Sequence, residues 1–309
     1  MRRLFGGLWR SPDFVRLWAG QTISLFGSHI GGGALRYAAI LALGATPIQF
    51  ALLTAAELVP ALLLALPAGV WVDRVRRRPV LIAADVGRAL LLLSIPAAFA
   101  LGALRIEHLY LVAALSSALT IMFDTAYPSF VPSVVRRGEL VEANSKLGAS
   151  DSLAEIAGPP LGGLLVQLVS APLAVALDSL SFLASALALR GIRAEETPVS
   201  ATEDTERTEI QGQESPSVSS VPSVAKRNPR PSMRRELGEG LAAIRGRPEL
   251  AALLGVAVTQ NLAGGIIGTL YDLYLIRELG LSPALVGLAR ALEIAALDEP
   301  ISSAQGLAW

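Results

Sequence analysis

The chain has 309 residues, no cysteine and a formal net charge of zero, and 52% of its residues are hydrophobic but only 17% charged. Soluble domains carry about 25% charged residues, so this composition favours a membrane protein. The neutral charge gives no support to nucleic-acid binding, and without cysteine there are no disulfides or thiolate metal sites. No catalytic or metal-binding motif is present, so we expect neither an enzyme nor a cofactor.

Long apolar segments separate the charged ones along the chain. A membrane-spanning helix needs about 20 mostly apolar residues, and the first such segment is too long for a signal peptide. An eighth helix begins near Pro283, but it soon meets Glu293, Asp298, Glu299 and Pro300. Seven segments qualify as spans: 14–41, 48–72, 80–101, 108–131, 145–169, 172–189 and 249–276.

The connections between these segments differ in charge. Lys and Arg are concentrated in the N-terminus and in the second, fourth and sixth connections. The odd-numbered connections, which lie on the opposite side, contain only Arg105 and Arg277. Basic residues accumulate on the cytoplasmic side of membrane proteins. We therefore expect the N-terminus, and both ends of the first six helices, to lie in the cytoplasm.

Residues 195–232 are rich in Ser, Thr, Glu and Pro, which predicts a disordered linker. Residues 233–247 have helical apolar spacing, so they form either an amphipathic helix on the membrane surface or a solvated linker helix. The layout predicts an all-α membrane protein with a six-helix bundle at 1–190, a linker at 191–248 and an incomplete second bundle at 249–309. Many transporters consist of two such six-helix halves.

The second connection contains an ordered set of residues: Gly69, Asp73, Arg74, Arg77 and Arg78. We expect Gly69 to let two helices approach closely, and Asp73 to accept hydrogen bonds from arginine at a helix end. The pattern resembles the cytoplasmic signature loop of the major facilitator superfamily, although Arg76 stands where that family has glycine. The resemblance implies a loop that latches the two halves in the outward-facing state. The alternative is a basic loop that only sets the orientation.

The fifth predicted helix contains a second motif, Gly158-Pro159-Pro160-Leu161-Gly162-Gly163. Proline kinks a helix, and small residues allow helices to pack closely. The motif resembles the core of the antiporter signature in this superfamily, but Ser145 and Ala154 replace its upstream glycines. The resemblance implies export, and the alternative is a packing seam without directional meaning.

Other stretches, around Gln21, Asp85, Asp124 and Gly158, resemble the branch that includes the enterobactin exporter and macrolide-efflux-like permeases. This resemblance ends near residue 290. Nothing after Ile294 resembles the rest of an eighth helix, and helices nine to twelve are absent, so we expect a C-terminally truncated transporter.

Ionisable residues at membrane depth are costly and often functional. We expect Arg36 to pair with Glu57, while Asp178 has no evident partner. Toward the predicted cytoplasmic side, four acids and one base form either a proton-coupling network or a fixed brace, with Asp124 and Glu155 as the best proton carriers. The members of this network are Asp85, Arg88, Asp124, Asp151 and Glu155.

In the superfamily the first helix of each three-helix repeat lines the cavity. The resemblance therefore implies cavity positions for Gln21, Ser24, Ser28 and Gly32 on the first helix, Ser117, Thr120 and Asp124 on the fourth, and Thr259, Gln260 and Asn261 on the seventh. The alternative for each is a hydrogen bond between packed helices, which is less expected for Gln21 and Gln260.

These patterns predict a secondary transporter of the bacterial inner membrane. Its expected activity is proton-coupled efflux of an amphiphilic small molecule, such as a drug or siderophore, by alternating access. The expected partners are the lipid bilayer, the small-molecule substrate and protons, with no nucleic acid. The alternative is a non-transporting fragment or a structural membrane partner of such a transporter.

Overall fold

The computed structural model describes residues 7–194 and 246–306, which form helices and short connections and include no strand. The π-helix Ala38–Ala42 continues the first helix, and short 3₁₀ helices span Gly7–Arg10 and Arg137–Glu139. The described helices are Pro12–Tyr37 (α1), Pro47–Val72 (α2), Arg77–Ala100 (α3), Ile106–Val134 (α4), Leu140–Leu168 (α5), Ala171–Gly191 (α6), Pro248–Arg277 (α7) and Pro283–Gly306 (α8).

Local sequence signals explain where the first helices begin. The hydroxyl of Ser11 accepts a hydrogen bond from the backbone N–H of Phe14 and caps α1. Thr46 and Gln49 form a reciprocal capping box at the start of α2, which satisfies backbone donors that have no partner inside the helix. Proline in the first turn of both helices suits this position, because its missing N–H would be unpaired there anyway.

Two helices extend further than the apolar pattern predicts. α5 begins at Leu140 rather than near Ser145, because polar residues such as Glu142 continue a helix without continuing its apolar surface. α8 continues beyond Ile294 to Gly306. This differs from the expected partial helix, because acidic residues interrupt an apolar run but do not by themselves end a helix.

Four described segments are long and apolar enough to cross a membrane: Pro47–Ala65, Arg77–Ala100, Ile106–Val134 and Ala171–Gly191. α1, α5 and α7, which have 26, 29 and 30 residues, are long enough but contain more polar and charged residues. Many large hydrophobic side chains, such as Leu63 and Leu187, lie exposed on the helix surfaces. The chain is therefore a multi-pass membrane protein, in which these surfaces face lipid.

The first six helices pack around α1 and α3. α1 packs against α5 and α6, α3 packs against α4 and α6, and α2 packs against α4. One apolar cluster at one end of the bundle includes Phe50 and Ile95, and another at the opposite end includes Phe14 and Phe130. A polar layer lies between these clusters, and the functional candidates are found there.

The remaining two helices join the bundle in different ways. α8 packs extensively along α5, while α7 makes few contacts, mainly with α2 and α8. The predicted linker at 195–232 lies outside the described residues, and so do residues 233–245 of the predicted amphipathic helix.

Candidate functional site

A cavity of about 170 Å³ lies in the polar layer of the bundle. Residues of α1, α2, α3, α4 and α6 form its wall, and Leu35, Leu92 and Phe182 contribute apolar surface. Its polar and charged lining residues are Ser28, Glu57, Arg88, Ser116, Ser117, Thr120 and Asp178.

Arg88 is the basic residue of the cavity wall, and it is held from several sides. Its guanidinium donates a hydrogen bond to Asp85, one helical turn earlier on α3, and both side chains are buried. The guanidinium also lies between the rings of Phe123 and Phe182, 4.6 and 4.1 Å from their centroids. A longer contact of 3.4 Å joins its Nη1 to the hydroxyl of Thr120. These contacts fix the position of the charge, as expected for a desolvated cation over aromatic faces.

Asp178 of α6 lies in the same cavity, and its side chain is buried. Its Oδ1 accepts a hydrogen bond of 3.3 Å from Ser181, and Arg88 acts on it electrostatically. Sequence spacing alone identified no partner for Asp178, because spacing does not say which helix α6 packs against. The structure brings α6 against α3, and thereby Asp178 close to Arg88.

Two glycines of α1 let α6 come this close. A Cβ at Gly31 would lie only 2.2 Å from Asp178 Oδ2, and a Cβ at Gly27 would lie 1.9 Å from the Ser181 hydroxyl. The glycines are four residues apart, so they share one face of α1, and this spacing is typical of close helix contacts in membranes.

A second ion pair lines the edge of the cavity. Arg36 Nη2 lies 3.7 Å from Glu57 Oε2, which joins α1 to α2 as expected from their depths along the helices. Both side chains are partly exposed, so this pair is weaker than the buried pair on α3.

The other acids of the predicted network lie outside the cavity wall. Asp124 of α4 is exposed but acts electrostatically on Arg88, and Asp151 of α5 acts on Asp124. Asp151 and Glu155 are both exposed near the middle of α5. The structure therefore groups Asp85, Arg88 and Asp124 closely, with Asp151 at the margin of the group.

The predicted cavity positions on α1 and α4 divide into two groups. Ser28, Gly32, Ser117 and Thr120 line the cavity, and Ser117 also donates a hydrogen bond to the backbone carbonyl of Glu57. Ser24 is buried away from the cavity, and Gln21 is half-buried.

Of the positions predicted on α7, Thr259 and Gln260 do not line this cavity. Thr259 and Gln260 are exposed and line a shallow concavity formed by α7 residues, apart from the cavity of the bundle. The physical reason is that α7 packs mainly on α2 and α8 and not on the helices that form the cavity wall around Ser28 and Thr120. The side chain of Asn261 lies outside the described part of the structure.

The signature loop between α2 and α3 is built differently from the expectation. No atom of the described residues lies within 4 Å of a Cβ placed on Gly69, so the expected close helix contact is absent there. Asp73 is the C-cap residue of α2 and is exposed, as is Arg74, while Arg77 starts α3. Arg78 donates hydrogen bonds of 3.0 and 2.5 Å to the carbonyl oxygens of Leu189 and Arg190, which caps the C-terminus of α6.

The motif of α5 forms close helix contacts on two sides. Cβ atoms on Gly158 and Gly162 would lie 2.3 Å from His29 Cβ and 3.0 Å from the Ile30 carbonyl oxygen of α1. On the other side, a Cβ on Gly163 would lie 2.1 Å from the Pro283 carbonyl oxygen of α8. The motif thus seats α5 between α1 and α8, at a point where Pro159 and Pro160 interrupt its backbone hydrogen bonds.

Sequence reasoning missed a third ion pair, between α7 and α8. Arg290 Nη2 lies 2.9 Å from Asp272 Oδ1 and 3.0 Å from the Gly268 carbonyl oxygen, and Asp272 is buried. Both charges act on the nearby Tyr37 of α1. The sequence shows one acid and one base in neighbouring apolar segments. Recognising them as a pair requires knowing that α7 packs against α8.

Comparisons with known proteins agree with this architecture. The chain is 26% identical over 175 residues to the uncharacterized MFS-type transporter YfiS of Bacillus subtilis, and the match covers 57% of this chain and 41% of that relative's length. The sequence profile described as Major Facilitator Superfamily matches residues 17–297, most of the chain. This protein therefore belongs to the major facilitator superfamily.

Proposed function

We propose that this protein is a secondary transporter that works by alternating access and exports an amphiphilic small molecule, such as a drug or siderophore, against proton entry. The observation that carries the proposal is the cavity between α1, α2, α3, α4 and α6, which has charged and apolar walls at membrane depth. Few purely structural bundles keep such charges there, because each one is costly to bury in a bilayer.

Proton coupling is supported by an excess of acidic over basic groups around the cavity. The acids Glu57, Asp85, Asp124 and Asp178 face the bases Arg36 and Arg88. Acids that outnumber bases in a low-dielectric region cannot all be charged at little cost. Asp124 and Glu155 are our candidates for the residues that exchange a proton with water, since both are exposed.

The direction and the orientation are parts of the same proposal. Export is supported by the likeness of the α5 motif to the antiporter signature, and a bacterial inner membrane with a cytoplasmic N-terminus is supported by the basic connections. The loop from Gly69 to Arg78 would then lie in the cytoplasm, where it would latch the outward-facing state.

Everted membrane vesicles that contain the 309-residue chain provide the test. Ethidium, a fluorescent amphiphile, should accumulate in energised vesicles, and its addition should release protons from the lumen, as followed with a pH-sensitive dye. Asp124→Asn should abolish both signals. Glu107→Gln is the matched control, because it also removes one exposed acid of α4, but from the first turn of the helix, whereas Asp124 acts on Arg88.

Two results would contradict the proposal. Ethidium accumulation that persists after a protonophore collapses the proton gradient would refute proton coupling. Vesicles that neither accumulate ethidium nor move protons would instead favour a non-transporting role, as a fragment or a structural partner.

A further inference from the structure

We infer that the cavity binds a small organic cation and that Asp178 is the residue that holds its charged group. The inference deepens the proposed function, on which it rests only in taking the cavity as the substrate site. Three features carry it: the pairing of the charges, the exposure of the Asp178 carboxylate to the cavity, and the cavity's size and lining.

The charged residues around the cavity form pairs that leave Asp178 without a counter-ion of its own. Arg36 is paired with Glu57, and Arg88 donates its hydrogen bond to Asp85. Asp178 accepts one weak hydrogen bond, from the neutral hydroxyl of Ser181, and receives only longer-range attraction from Arg88. A buried carboxylate without its own counter-ion is strongly unfavourable, so either a proton or a bound cation must neutralise it.

The surroundings of Asp178 favour a ligand in this role. Arg88 is the charged group of the described residues that acts on it, with Asp85 bound behind Arg88 on α3. From α1, Gly27 and Gly31 face the carboxylate, and neither glycine has a side chain that could compete for it. The carboxylate lines the cavity although its residue is only 4% exposed. A cation that enters the cavity would therefore displace the proton from Asp178 and neutralise the carboxylate in its place.

The cavity also limits the size and shape of the cation. Its volume of about 170 Å³ is close to that of an engineered cavity of about 150 Å³ that binds benzene. Leu35, Leu92 and Ala113 supply apolar contacts, and the Ser116 hydroxyl has no hydrogen-bond partner among the described residues. These features fit an ammonium group and an adjoining apolar group about as large as one aromatic ring, so a larger amphiphile such as ethidium would place only part of its structure in the cavity.

Equilibrium binding to the purified 309-residue chain in detergent tests the inference. The probe is benzyltrimethylammonium, and the matched neutral ligand is neopentylbenzene, in which carbon replaces the charged nitrogen at nearly the same shape. We expect the cation to bind about tenfold more tightly or better, because a desolvated charge pair is worth several kcal/mol when one partner is removed. Acidification should weaken binding of the cation but not of the neutral ligand.

Variants locate the charge. Asp178→Asn keeps the shape of the side chain but should abolish both the preference for the cation and its pH dependence. Gly31→Ala keeps the acid but should also weaken cation binding, because the new Cβ would displace the carboxylate. Gly33→Ala is the control on the same helix, because its Cβ would meet only an ordinary contact of 3.6 Å with Tyr37.

The result that overturns the inference is equal binding of the two ligands, or unchanged cation binding by a folded Asp178→Asn variant. If Asp178→Asn does not fold, the wild-type comparison of the two ligands across pH decides. These outcomes are separate from the transport test. Cation binding without proton-coupled ethidium uptake would refute the proposed function alone, and coupled uptake without charge preference in binding would refute this inference alone.

Discussion

Two aspartate–arginine pairs, one buried and one partly buried, serve different purposes in this protein. Asp85 and Arg88 lie one turn apart on α3, so their pairing needs no second helix. Asp272 and Arg290 lie on α7 and α8, and Arg290 also binds the carbonyl oxygen of Gly268. The first pair places a charge at the cavity wall, whereas the second joins two helices.

The surroundings of the pairs differ as well. Arg88 lies between two aromatic rings and faces Asp178 as an additional acid, while the contacts of Arg290 to Asp272 are one charge against one charge. A balanced pair across a helix interface acts as a brace. A pair with an extra acid leaves a charge to be neutralised from outside, which is what a binding or coupling site requires. The comparison predicts that breaking the two pairs will have different consequences.

The largest effect is expected from Arg88→Met. This change fills the space between Phe123 and Phe182 but leaves the Asp85 carboxylate buried without a counter-ion. Removal of one partner from a buried pair costs about 3–5 kcal/mol. Thermal unfolding in detergent should show a large decrease in stability.

The double variant Asp85→Asn with Arg88→Met is the control for this prediction. Since both charges are removed together, most of the lost stability should return. Equal destabilisation in the single and double variants would show that Arg88 stabilises the bundle through its ring contacts and not through Asp85.

A smaller effect is expected from the pair between α7 and α8. In a double-mutant cycle with Asp272→Asn and Arg290→Gln, the coupling energy should be about 0.5–3 kcal/mol, as for side chains in direct contact. Binding of benzyltrimethylammonium should stay unchanged, because this pair is apart from the cavity lining. A change in binding as large as that of Asp178→Asn would contradict the role of a brace.

The sequence predicts the local pair and misses the distant one, because spacing determines contacts within a helix but not between helices. Asp85 and Arg88 are three residues apart, and helical geometry alone places them on one face. Asp272 and Arg290 are separated by the end of one helix and the start of another, so their contact depends on how α8 packs. The proximity of Asp178 to Arg88 could not be predicted for this reason either, since Arg88 lies on a helix that is distant in sequence.

Glycine residues show the same limit of prediction from sequence. The residue types at Gly69 and Gly158 suggest close packing equally well, yet only Gly158 has a neighbouring helix against it. A motif predicts where the backbone can be approached, and the tertiary packing decides whether it is. The cavity positions on α1 and α4 were predictable from helical spacing, whereas those on α7 required the position of that helix relative to the bundle.

The smallest effect is expected from the pair at the cavity edge. Arg36→Gln should cost at most about 1 kcal/mol of stability, because its partner Glu57 stays partly exposed and the atoms are 3.7 Å apart. Glu57→Gln provides the sharper measurement, since it removes the other acid of the cavity wall. Benzyltrimethylammonium should still bind this variant more tightly than neopentylbenzene does, because Arg36 already neutralises Glu57 in the wild type. If Glu57→Gln removed that preference while Asp178→Asn kept it, the cation site would lie at the edge of the cavity, and the distinction between the balanced and the unbalanced acids would fail.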